Sequence, residues 1–157
     1  MKTKEGAATA AVLLVEDDAE DVEITQRAFH KGSIPNPLHV VRSGEAALEF
    51  LHHKGCYTES KEAPRPVLVI LDLHLPGLDG CEVLKQIKGD PGLRRIPVVV
   101  LTTSSEEADI LRCYDVGANT YITKPLEFDQ FLEAVLTIGK YWLLVAQVPE
   151  DGGVPQA

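Results

Sequence analysis

A chain of 157 residues, 45% of them hydrophobic, is long enough to bury the core of one ordinary domain and too apolar for extensive disorder. Its formal net charge of −9 excludes a nucleic-acid backbone as a general partner, because such binding relies on Lys and Arg displacing counterions. Cys56, Cys81 and Cys113 are too widely spaced for a zinc or redox motif, which fits buried thiols in a reducing, cytoplasmic setting.

Residues 1–10 read as a flexible tail leading into a first strand at 11–15. The apolar stretch 7–15 superficially mimics a secretory signal, but Glu16, Asp17 and Asp18 follow it with no small-residue cleavage site. No run approaches the roughly 18 apolar residues of a membrane helix, so no membrane partner is expected. A helix starts near Asp18 or Ala19, carries Val22, Thr25 and Phe29 on one face, and stops before Gly32 and the Pro35-Asn36-Pro37 turn. A short strand at 38–41 follows. Ser43 caps a second helix that turns Ala47, Leu48 and Leu51 inward. Residues 54–66 show no periodicity and read as a long surface loop.

The third strand, Val67-Leu68-Val69-Ile70-Leu71, is a run of branched apolar residues, as expected of a strand covered on both faces. It ends in Asp72. Asp79 caps a third helix burying Val83, Leu84 and Ile87, closed by Gly89-Asp90-Pro91-Gly92. A fourth strand spans 97–101. Ser104 and Glu107 have capping-box spacing for a fourth helix that ends at Gly117. The fifth strand is 120–123. The fifth helix starts near Glu127 with Phe128, Phe131, Leu132, Val135 and Trp142 as its inward stripe. From Tyr141 to Ala146 it is apolar all round, which implies a second buried surface around Tyr141 and Trp142, or a segment folded back on its own domain. Residues 149–157 read as a tail.

Five β–α units in one domain, 11–148, predict an α/β fold: a flavodoxin-like doubly wound five-stranded parallel sheet, order 2-1-3-4-5, with five helices and the fifth extended. In such a sheet the carboxyl ends of the strands share one edge, where ligands bind. That edge collects Glu16, Asp17, Asp72, Thr102 and Lys124. Three carboxylates together repel unless a cation joins them, and an oxygen-only ligand set suits Mg²⁺. Asp17 and Asp72 would ligate it directly and the longer Glu16 through water. Asp72 keeps an oxygen able to attack phosphorus, Lys124 can neutralise the transferred group, and the Thr102 hydroxyl can donate to it.

The stretches Val12-Leu13-Leu14-Val15-Glu16-Asp17-Asp18, Leu71-Asp72-Leu73-His74-Leu75-Pro76-Gly77-Leu78-Asp79-Gly80, Pro97-Val98-Val99-Val100-Leu101-Thr102-Thr103 and Tyr121-Ile122-Thr123-Lys124-Pro125 resemble the receiver domain of two-component response regulators. The resemblance implies a phosphoacceptor, Asp72, served by a histidine kinase, the His74 carbonyl as a further metal ligand, and a cis Lys124-Pro125 bond. It also implies a switch in which Thr102 moves toward the phosphoryl group and Tyr121 enters the space it leaves. The long loop before the third strand, Leu101-Thr102-Thr103-Ser104 and Tyr141-Trp142 are similar to the single-domain regulators paired with bacterial phytochromes. That likeness implies a bacteriophytochrome as the kinase and a homodimer through the helix-four, strand-five and helix-five face. Leu126 departs from the aromatic of many receivers, and His74 is a less usual residue at its place.

Three rivals use the same sheet. An aspartyl-phosphate hydrolase would need a second Asp two residues after Asp72, where this chain has His74. A nucleotide or flavin site needs Gly-rich amides after the first strand, where Glu16-Asp17-Asp18 would repel an anion. A phosphate-independent adaptor would ignore beryllofluoride. The pair His52-His53 reads as solvated polar residues, since helix neighbours point apart.

Overall fold

The structure, a computed structural model, describes residues 10–59 and 62–149. Both predicted tails therefore fall almost wholly outside the described residues. The strands are β1 (Ala11–Val15), β2 (Leu38–Val41), β3 (Pro66–Leu71), β4 (Val98–Thr102) and β5 (Thr120–Thr123), all parallel, in the order β2-β1-β3-β4-β5. The helices are α1 (Ala19–Lys31), α2 (Gly44–His52), α3 (Gly80–Gly89), α4 (Glu107–Val116) and α5 (Phe128–Gly139).

Alternation along the strands sorts their side chains into two cores. Leu13, Val15, Val69, Leu71, Val98 and Val100 meet α2, α3 and Cys113 of α4 on one face. Val12, Leu14, Leu68, Ile70, Val99 and Leu101 meet α1 and α5 on the other. β1, β3 and β4 are buried along their whole length, as strands walled by helices on both sides must be.

The predicted caps Ser43 and Asp79 form, and Asp18, at the expected start of the first helix, caps it as well. Asp18 accepts from the Glu20 and Asp21 N–H groups, Ser43 from Ala46, and Asp79 from Glu82. The Ser104–Glu107 capping box does not. α4 begins only at Glu107, so Ser104 lies outside it; its hydroxyl accepts from Glu106 N–H at 3.3 Å and donates to Asp109 at 2.6 Å. Phe128 is also misassigned: it opens α5 at the rim of the sheet and is 46% exposed, with the Arg27 guanidinium 5.9 Å over its ring. The loop after α2 holds one 3₁₀ turn, Gly55–Tyr57.

Beyond Gly139 the chain continues through Lys140–Val145 in wider π-type turns, closed by the Ala146 N–H on the Tyr141 carbonyl at 2.7 Å. Trp142 and Leu143 pack on the α1/α5 core while Tyr141, Leu144 and Val145 face outward. One side of the extension thus folds back on its own domain, and the other stays uncovered.

Candidate functional site

The register of the sheet brings the acidic residues together. Val15 pairs with Leu71, so β1 and β3 end level, and Asp72 N–H donates to the Val15 carbonyl at 3.1 Å. Glu16 and Asp17 therefore leave β1 beside Asp72. Ligand oxygens of Glu16, Asp17 and Asp72 lie within 4.8 Å of one another; Glu16 and Asp72 are buried and Asp17 is exposed. Thr102 ends β4 opposite Thr123 of β5, and Lys124 follows with its N–H on the Thr102 carbonyl at 2.6 Å.

Lys124 joins the two halves of the site. Its ammonium donates to Glu16 Oε1 at 2.5 Å, Asp21 Oδ2 at 2.7 Å and Asp72 Oδ2 at 3.3 Å. Burial works against this charge, but the bonds to Asp21 and Glu16 and the charges of Glu16 and Asp72 outweigh it, so the Lys124 pKa is raised. Burial pushes the Glu16 carboxyl up to about 8, with Lys124 opposing the shift and Asp72 adding to it.

Thr102 Oγ1 is a buried polar atom with no hydrogen-bond partner. Buried hydroxyls are normally paired, so its orphaned state beside Asp72 and Lys124 fits a group that is not part of the chain. The two buried carboxylates and one exposed carboxylate likewise fit a hard divalent cation that takes oxygen ligands and keeps open positions.

The remaining predicted residues lie near this centre or on its flank. His74 is exposed, and its N–H donates to Asp72 Oδ1 at 3.2 Å, fixing the first turn after the strand. The Tyr121 hydroxyl donates to the Ser104 carbonyl at 2.8 Å, tying β5 to the β4–α4 loop. No peptide bond among the described residues is cis, so the expected cis Lys124-Pro125 is corrected to trans; trans is the intrinsically preferred X–Pro form, and here it accompanies the Lys124–Thr102 backbone bond. Tyr141 and Trp142 stand well away in chain, on the α5 extension. Sequence reading missed Asp21, which lies in the first turn of α1. No local signal marks it, because an acid in the first turn of a helix is ordinary compensation of the helix dipole.

The sequence profile of the response regulator receiver domain matches residues 12–136. The chain belongs to that family. The receiver domain is 42% identical over 138 residues to response regulator Rcp1 of Synechocystis sp., covering 88% of this chain and 92% of Rcp1. A crystal structure of the phosphorylated cyanobacterial phytochrome response regulator RcpA superposes with a TM-score of 0.85 at 42% identity, covering 90% of this receiver and 99% of that chain. The Mn(2+)-bound form of Rcp1 superposes with a TM-score of 0.83 at 41% identity, covering 89% and 99% respectively. One of these similar proteins is phosphorylated and the other binds a divalent metal. The predicted family, fold and strand order hold.

Proposed function

We propose that this receiver domain accepts a phosphoryl group on Asp72 from a histidine kinase, by in-line attack of a carboxylate oxygen on phosphorus as the bond to the donor nitrogen breaks. The supporting observation is the convergence of Asp72, the Lys124 ammonium and the unpartnered Thr102 hydroxyl at one strand edge. Lys124 holds charge where the phosphoryl oxygens arrive, and Thr102 donates to one of them. Mg²⁺ is the proposed metal, held by Asp17, Asp72 and the His74 carbonyl, with Glu16 acting through water. When bound, it offsets charge on the carboxylates and the transferred group.

Phosphoryl-driven movement of Thr102 is passed to Tyr121, whose hydroxyl already bridges to the β4–α4 loop. The likeness to cyanobacterial phytochrome regulators supports a bacteriophytochrome as the kinase. A homodimer through α4, β5 and α5, including Tyr141 and Trp142, is supported by the distribution of exposed large apolar side chains. Among the described residues these are Leu111 and Tyr114 of α4, Leu126 and Phe128 at the start of α5, and Tyr141, Leu144 and Val145 of its extension. Cytoplasmic residence fits the free cysteines, and among the described residues no helix is long and apolar enough to cross a membrane. Sustained turnover of phosphate esters is not proposed, because His74 occupies the place of the second acid.

Labelling by a small phosphodonor in Mg²⁺ tests the assignment by mass spectrometry. The wild type gains one phosphoryl group and Asp72→Asn gains none; equal labelling of both removes Asp72 as acceptor.

A further inference from the structure

An ammonium has three donors, and on Lys124 each one is committed to a carboxylate. The bond to Asp72, at 3.3 Å, is the longest; those to Glu16 and Asp21 are 2.5 and 2.7 Å. The charge is thus held toward the β1–α1 side of the site, off the residue to be phosphorylated. Asp21 differs from the other two partners because it is outside the group of Glu16, Asp17 and Asp72 that can converge on one cation. With those three engaged, Asp21 is the carboxylate that still faces Lys124.

Asp21 is well anchored for this. Its N–H donates to Asp18 Oδ1 at 3.2 Å and its carbonyl accepts from Thr25 Oγ1 at 2.9 Å, so the carboxylate projects from a fixed first turn of α1. Its side chain is 21% exposed, so water can solvate it when the lysine leaves and no buried charge is stranded.

We infer that Asp21 is a positioning residue that competes with the phosphoryl oxygen for the Lys124 ammonium, and so sets how tightly the site holds a phosphoryl group. The inference rests on the reading of Asp72 as the acceptor. A phosphoryl oxygen gains Lys124 by displacing a charge-assisted bond. Neutralising Asp21 weakens that rival while leaving an amide oxygen of the same shape.

Titration of the full chain with beryllofluoride at saturating Mg²⁺ tests the competition. Asp21→Asn binds about tenfold tighter than wild type, the worth of one charge-assisted hydrogen bond, and Asp21→Glu, which restores the charge, stays within about twofold. In a Lys124→Gln background the Asp21→Asn substitution changes affinity less than about twofold, because its effect passes through the lysine. Unchanged or weaker binding by Asp21→Asn overturns the inference, as does a tenfold gain that persists without Lys124. If Asp72→Asn binds beryllofluoride as well as wild type, the acceptor assignment itself fails and takes this inference with it.

Discussion

Thr102→Val separates what the site costs the fold from what it does for signalling. Thr102 is 0% exposed and its hydroxyl has no partner in the folded chain, whereas in the unfolded chain water satisfies it. Leaving a buried hydroxyl unpaired costs about 1–3 kcal/mol. Valine keeps the branched shape and suits a strand, so the substitution should stabilise the unphosphorylated protein by about 1 kcal/mol. The same change deletes a donor to a charged phosphoryl oxygen, worth about 1.5–3 kcal/mol, so beryllofluoride should bind roughly 10- to 100-fold more weakly. Urea unfolding with and without saturating Mg²⁺ and beryllofluoride reads both effects at once. Thr102→Val should be the more stable protein without the mimic and gain less from it than wild type does, because ligand stabilisation scales with affinity. A variant that is less stable without the mimic and binds it normally would refute the assignment of Thr102 to the phosphoryl site.

Gly80→Ala should be severe, because a Cβ there would lie 2.1 Å from the Asp72 carbonyl oxygen and 2.6 Å from Leu73 Cα. Both are backbone atoms that no rotamer change can move, so a loss of about 3 kcal/mol and impaired labelling of Asp72 are expected; a loss under about 0.5 kcal/mol in urea would contradict the packing. At the opposite edge of the sheet, Lys88 donates to the carbonyls of Arg94 and Ile96 and to Asn119 Oδ1, and burial lowers its pKa from 10.5 to about 8. The unfolded chain then holds more protons than the native one between those values, so stability should rise with pH across that window. Lys88→Met should flatten the rise in urea titrations relative to wild type. If the proposed homodimer forms, Tyr141→Ala, at a side chain 52% exposed, should weaken it about tenfold by light scattering with little effect on unfolding. Trp142→Ala should also destabilise the fold, because Trp142 packs on the α1/α5 core.

Much of the site was legible because of how a parallel sheet is built. Apolar runs such as Val67 to Leu71 declare strands by composition, and alternation of strand and helix forces their carboxyl ends to one edge. Glu16, Asp17, Asp72, Thr102 and Lys124 could be placed there without coordinates, because each closes a strand or lies within two residues of its end. Caps were readable for a related reason: Asp18, Ser43 and Asp79 act on amides two or three residues away. Ser104 misled because its spacing to Glu107 satisfies a local pattern, while its hydroxyl is drawn to Asp109 and α4 starts later.

The sequence by itself therefore determined the sheet, its helices and the acidic edge, because periodicity, capping and strand order are local or topological properties. Only the tertiary structure decided that Asp21, 103 residues before Lys124, takes one of its three donors. Only the structure left Thr102 without a partner, exposed Phe128, and divided the α5 extension into a packed side and an open one. Those outcomes depend on distances between side chains carried by different elements, which are set only when helices settle against the sheet.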